Sequence, residues 1–129
     1  MNNSPQNPNT MNTLALAYIG DSVYDLHIRQ HLVLTAPAKV NDLHKRATAM
    51  VNASAQAASF RQIQHILTEE ELAIFRRGRN ANSSPPKNAN PADYRTATGI
   101  ETLIGYIFLT GNIERLNQIM RAIINGSNS

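Results

Sequence analysis

Two apolar stretches far apart in the chain each place a glycine beside an acid, and this constrains the fold more than any other feature. The first reads Leu-Ala-Tyr-Ile-Gly-Asp-Ser-Val, around Gly20 and Asp21, and the second reads Gly-Ile-Glu-Thr-Leu-Ile-Gly-Tyr, around Glu101. Both patterns are helical, and a glycine inside a helix costs about 1 kcal/mol relative to alanine. Close approach of two backbones is the simplest compensation, and Gly20, Gly99 and Gly105 would all permit it. If the segments cross at these glycines, Asp21 and Glu101 meet in apolar surroundings. Two carboxylates cannot both stay ionised there without a cation. A divalent metal resolves the conflict.

The remaining pattern is all-α, with no alternating strand signature and no repeat. Dense apolar residues from Asn12 to about Leu34 predict one long, largely buried helix, stopped by Thr35-Ala-Pro37. Asn41 is the expected cap of a second helix, followed by an alanine-rich one reaching about Ile66 with a break near Asn52 to Ser54. Thr68-Glu-Glu-Glu71 reads as a capping box for a helix ending near Gly78. Pro91 opens the helix that carries Glu101, and Gly111-Asn112 turns into a last helix ending near Asn125. Residues 1–10 are expected to form a disordered polar tail, and 78–91 a flexible basic loop.

A length of 129 residues fits one domain. With no cysteine, disulfides, thiolate zinc sites and cysteine nucleophiles are excluded, as expected for a reducing cytoplasm. The N-terminus lacks the basic flank and apolar core of a signal peptide, and no run approaches the roughly 20 apolar residues of a membrane span. Net charge is only +3, but Arg76, Arg77, Arg79 and Lys87 cluster, Arg95 follows, and no acid lies between Glu71 and Asp93. Such a block favours a polyanion partner. A solvated charged loop is the alternative. His27 and His31, one turn apart, resemble half of a zinc site but have no evident further ligand, and are most simply helix-face histidines.

Several motifs resemble the ribonuclease III catalytic domain. Leu16-Ala-Tyr-Ile-Gly-Asp-Ser-Val23 is similar to that family's signature, and Tyr94-Arg-Thr-Ala-Thr-Gly-Ile-Glu101-Thr-Leu-Ile-Gly105 to its second acidic motif. Asn41-Asp-Leu-His-Lys45, Leu67-Thr-Glu-Glu-Glu71 and Arg76-Arg-Gly-Arg-Asn-Ala81 resemble, more narrowly, the short bacterial Mini-ribonuclease III branch, which has no double-stranded-RNA-binding domain. The resemblance implies a homodimeric helical nuclease domain over 11–126, with Asp21 and Glu101 as catalytic residues holding Mg2+. The further acids usual in the larger family fall here on Ala17 and Thr98. That leaves two direct acids per protomer, with Thr98 and Asp25 as candidates to bond a metal-bound water.

By the same resemblance, the substrate is double-stranded RNA, cut to 5′-phosphate and 3′-hydroxyl ends during maturation of the 23S ribosomal RNA precursor. A ribosomal protein is a further candidate partner. Arg76, Arg77, Arg79, Asn80, Lys87 and Arg95 are the expected RNA contacts. Two rival readings are a catalytically inactive protein that binds structured RNA and a helical adaptor for another protein. Neither requires acids at a glycine-lined crossing.

Overall fold

Side-chain caps set most helix starts. The computed structural model describes residues 7–36 and 38–127, and these contain no strand. The helices are α1 (Thr13–Thr35), α2 (Val40–Val51), α3 (Ala53–Ile63), α4 (Glu69–Arg79), α5 (Pro91–Thr110) and α6 (Ile113–Ser127), with 3-10 turns at Pro8–Thr10 and Gln64–Ile66. Asn12 Oδ1 accepts from the Leu14 and Ala15 amides, and Asn52 caps α3 through the Ala55 amide. Thr68 and Glu71 form both halves of the expected capping box. Asn90 caps α5 ahead of Pro91, and Gly111, at φ 81, ends it in the left-handed conformation that glycine adopts without strain. At α2 the expectation fails. The helix begins with Val40 after an uncapped Lys39, Asn41 lies inside the first turn, and Asp42 supplies the charge favoured at that end.

α5 is the central helix, packed against α1, α3, α4 and α6. Every residue from 97 to 107 is buried except Glu101. Ile100, Leu103, Ile104 and Ile107 join Leu16, Tyr24 and Ile28 of α1, Ile74 of α4, and Leu116, Ile119 and Ile123 of α6 in one core. A helix this apolar around its circumference is stable only when enclosed. One polar, partly open residue inside such a run marks the site.

The glycines decide how closely the helices approach. A Cβ on Gly20 would overlap the Glu101 carbonyl, and one on Gly105 would overlap the Leu16 carbonyl, so α1 and α5 touch backbone to backbone. Gly99 serves a different crossing. Its Cβ would fall 2.7 Å from the Phe75 ring, and it faces Gly78 across the α4–α5 contact. The expectation that Gly99 opens the α1–α5 contact is therefore corrected. It lies on the other side of α5.

Residues 1–6 of the expected tail lie outside the described residues. Residues 7–10 depart from the expected disorder: Asn7 caps the turn Pro8–Thr10. Arg77 then donates to the Asn9 and Met11 carbonyls and to Thr13 Oγ1, at 3.4, 3.2 and 3.2 Å. The Tyr106 hydroxyl lies 3.0 Å from Asn9 Oδ1 and 3.1 Å from Glu70 Oε1. At the same end, Arg115 of α6 pairs bidentately with Glu71, at 2.8 and 2.6 Å, and donates to the Ile66 carbonyl at 2.7 Å. Burial alone would raise the Glu71 pKa, but the Arg115 bonds and charge outweigh it and hold the carboxyl below its ordinary value. The basic loop is shorter than expected: α4 continues through Gly78 and Arg79, and the loop spans 80–90.

Candidate active site

The contact at Gly20 and Gly105 brings the acids together. Asp21 stands exposed on α1, Glu101 is half-buried on α5, and their carboxyl groups lie within hydrogen-bonding reach. Burial, reinforced by the Asp21 carboxyl beside it, pushes Glu101 up to about 8. Among the described residues no cation counters this. Two hard oxygen donors with uncompensated charge suit a divalent cation that takes oxygen ligands. Among the described residues no group of three or more His, Asp or Glu side chains could enclose a metal. A closed four-ligand zinc cage therefore does not fit. Magnesium does, because it keeps waters and substrate phosphates as ligands beside one or two carboxylates.

Three polar side chains missed by the sequence reading back this pair. Gln56 of α3 is 3 % exposed, and its Nε2 donates to Glu101 Oε2 at 3.5 Å. Ser59 is equally buried, one turn further along α3. The Tyr24 hydroxyl lies close to Ser59 and Glu101 but completes a hydrogen bond with neither, and burial pushes its pKa up to about 12. The signal was present. Gln56, Ser59, Phe60 and Ile63 follow the spacing of a buried helix face. Two of those four positions are polar.

The secondary candidates divide. Asp25 pairs with Arg29 at 2.9 Å, and its other oxygen is buried without a partner. Thr98 is buried, and its hydroxyl donates to the Tyr94 carbonyl of its own helix at 3.0 Å. That proton is committed to the backbone. Ala17 is buried beside the crossing. His27 and His31 face a groove shared with Asn117 and Arg121 of α6, away from the acids, and burial lowers the His27 pKa.

Of the expected RNA contacts, Arg76, Arg79, Asn80, Lys87 and Arg95 are exposed. Among the described residues none of these cations has an acid within ion-pair distance. Arg79 sits over the Phe75 ring at 5.7 Å and donates to Asn80 Oδ1 at 3.3 Å. Arg77 is different. Its guanidinium is turned into the N-terminal segment and ties down the start of α1.

Comparison with known proteins gives the family. The family described as Ribonuclease III domain matches residues 14–112. A Mini-ribonuclease 3 of Clostridium tetani is 49% identical over 117 residues, covering 89% of this chain and 78% of its own. One of Symbiobacterium thermophilum is 44% identical, covering 90% of each chain. A crystal structure of a Fusobacterium nucleatum protein superposes with a TM-score of 0.83 at 28% identity, covering 95% of this chain and 99% of that one. Among the described residues no helix is long and apolar enough to cross a membrane. The chain belongs to the ribonuclease III family of endoribonucleases.

Proposed function

We propose that this endoribonuclease cleaves double-stranded RNA with Mg2+ held by Asp21 and Glu101, leaving 5′-phosphate and 3′-hydroxyl ends. Ribonuclease III enzymes as a family act on double-stranded RNA and depend on a divalent metal. The observation that carries the reading is the backbone-to-backbone crossing at Gly20 and Gly105, which sets the Asp21 carboxyl beside a largely buried Glu101. A divalent cation held there would supply Lewis-acid chemistry, making a hydrolytic water more acidic and offsetting the charge of the reacting phosphate. Asp21 and Glu101 would supply its protein ligands, and the burial of Glu101 keeps that carboxylate's charge from being dispersed by solvent. Arg76, Arg79, Lys87 and Arg95 take the phosphates of the flanking duplex, and Asn80 takes a 2′-hydroxyl or a base edge. An A-form duplex offers its wide minor groove and 2′-hydroxyls, so recognition rests on shape more than sequence.

Cutting both strands requires two such centres, and a twofold homodimer provides them. Leu14, Tyr18, Leu26 and Val33 are 41%, 82%, 65% and 62% exposed on α1. At 100° per residue they fall within an arc of about 120°, with Asp21 at its margin. A second copy seated on this stripe buries it and sets one acid pair on either side of the interface. The intended duplex is a precursor of 23S ribosomal RNA, with a ribosomal protein as an additional partner, in the cytoplasm. The test is incubation of labelled duplex RNA with and without Mg2+. Wild type cleaves only with the metal; Asp21→Asn and Glu101→Gln remain folded and bind RNA but do not cleave. Full cleavage by either variant would refute the assignment.

A further inference from the structure

We infer that Gln56 is a positioning residue of the metal site, holding the Glu101 carboxylate toward Asp21 so that one cation is shared by both. Gln56 is 3 % exposed, in a helix whose other inward positions are Ala57, Ser59 and Ile63. A buried amide is costly unless it is hydrogen-bonded, so its place needs a partner. That partner is Glu101 Oε2, to which Gln56 Nε2 donates. At 3.5 Å the contact is long, as contacts in active sites often are before ligand binds.

The amide suits this task better than an acid or an aliphatic group. Its NH2 donates to one Glu101 oxygen and, being neutral, leaves the charge of the carboxylate for a cation. A lysine in the same place would neutralise the pair and compete with the cation. A leucine would leave Glu101 free to rotate away from Asp21. Behind Gln56, Ser59 and the unpartnered Tyr24 hydroxyl make the wall of this corner polar. Groups that orient metal ligands in this way typically change metal affinity by about 10–100-fold when removed.

This inference rests on Asp21 and Glu101 being the metal ligands, and the experiment separates the two ideas. Mn2+ is titrated calorimetrically into the RNA-free full-length protein and into Gln56→Leu, Gln56→Glu and Asp21→Asn. Gln56→Leu is expected to lose affinity for Mn2+ by about ten-fold, with metal-free thermal stability maintained and metal-free RNA affinity unchanged. Gln56→Glu, which adds a third hard oxygen donor, is expected to bind at least as tightly as wild type. A purely structural glutamine predicts the reverse pattern: lower stability in both variants and unaltered Mn2+ affinity in whatever folds. If Gln56→Leu does not fold, weaker Mn2+ binding by Gln56→Glu than by wild type overturns the inference. If Asp21→Asn loses Mn2+ while Gln56→Leu keeps wild-type affinity, only the role of Gln56 is wrong. If Asp21→Asn binds Mn2+ as wild type does, the acid pair itself is misidentified.

Discussion

Replacing Glu101 by glutamine removes the charge that burial and Asp21 make most unfavourable, so this variant should lose cleavage and gain stability. In the metal-free protein the Glu101 carboxyl titrates at about 8, raised from 4.5. Across that interval the folded protein holds a proton that the unfolded chain has released. Stability is therefore greatest at low pH and declines as pH rises through the window, levelling off above about 8. At about 1.4 kcal/mol per unit, the interval sets a ceiling of about 5 kcal/mol on what ionised Glu101 costs. Glu101 is only half-buried, and water reaching the pair screens it, so the expected gain for Glu101→Gln above that pH is about 2 kcal/mol. For a domain of this size that corresponds to roughly 8 °C in Tm. The assay is thermal unfolding followed by circular dichroism in EDTA, at about pH 5 and about pH 8.5. Glu101→Gln should unfold at nearly the wild-type temperature in acid and well above it in alkali. Adding Mg2+ should raise the wild-type Tm and close much of the alkaline gap. A gain of equal size at both pH values would show that it comes from packing, and no gain at the higher pH would refute the buried-charge argument.

Phosphate contacts make RNA affinity fall with salt, so Arg76→Ala and Lys87→Ala should flatten the slope of affinity against salt concentration. Arg77→Ala should leave that slope alone and lower Tm, because its guanidinium serves Asn9, Met11 and Thr13. Filter binding over a salt series, with melting curves alongside, separates the two roles. Gly20→Ala drives a methyl group into the Glu101 carbonyl and should destabilise the fold by about 3 kcal/mol, at the upper end of overpacking costs, as denaturant titration will show. Tyr18→Asp, at an 82% exposed position, should yield a folded monomer by light scattering that has lost coordinated two-strand cleavage.

How much of this was legible depended on how local each signal was. Asp21 and Glu101 were readable because each carries its own glycine marker, which makes sense only at a crossing. Most caps were readable for the same reason: Thr68, Glu71, Pro91 and Gly111 act within one turn. Gly99 was misplaced because its partner, Phe75, lies on a different helix and sequence does not say which neighbour a glycine admits. Arg77 belongs to a basic run by composition, yet its partners lie 64 to 68 residues earlier, in a segment whose polar composition suggested disorder. Gln56 was hidden inside an alanine-rich stretch. Its role arises only when α3 is laid against Glu101, 45 residues further on.

The most direct measurement is anomalous diffraction from crystals of the protein soaked in Mn2+, recorded beside crystals of Asp21→Asn. Wild type should show a peak bonded to one or more oxygens of both Asp21 and Glu101, missing or much weakened in the variant. A manganese ion bound elsewhere, with these two carboxylates touching none, would contradict this.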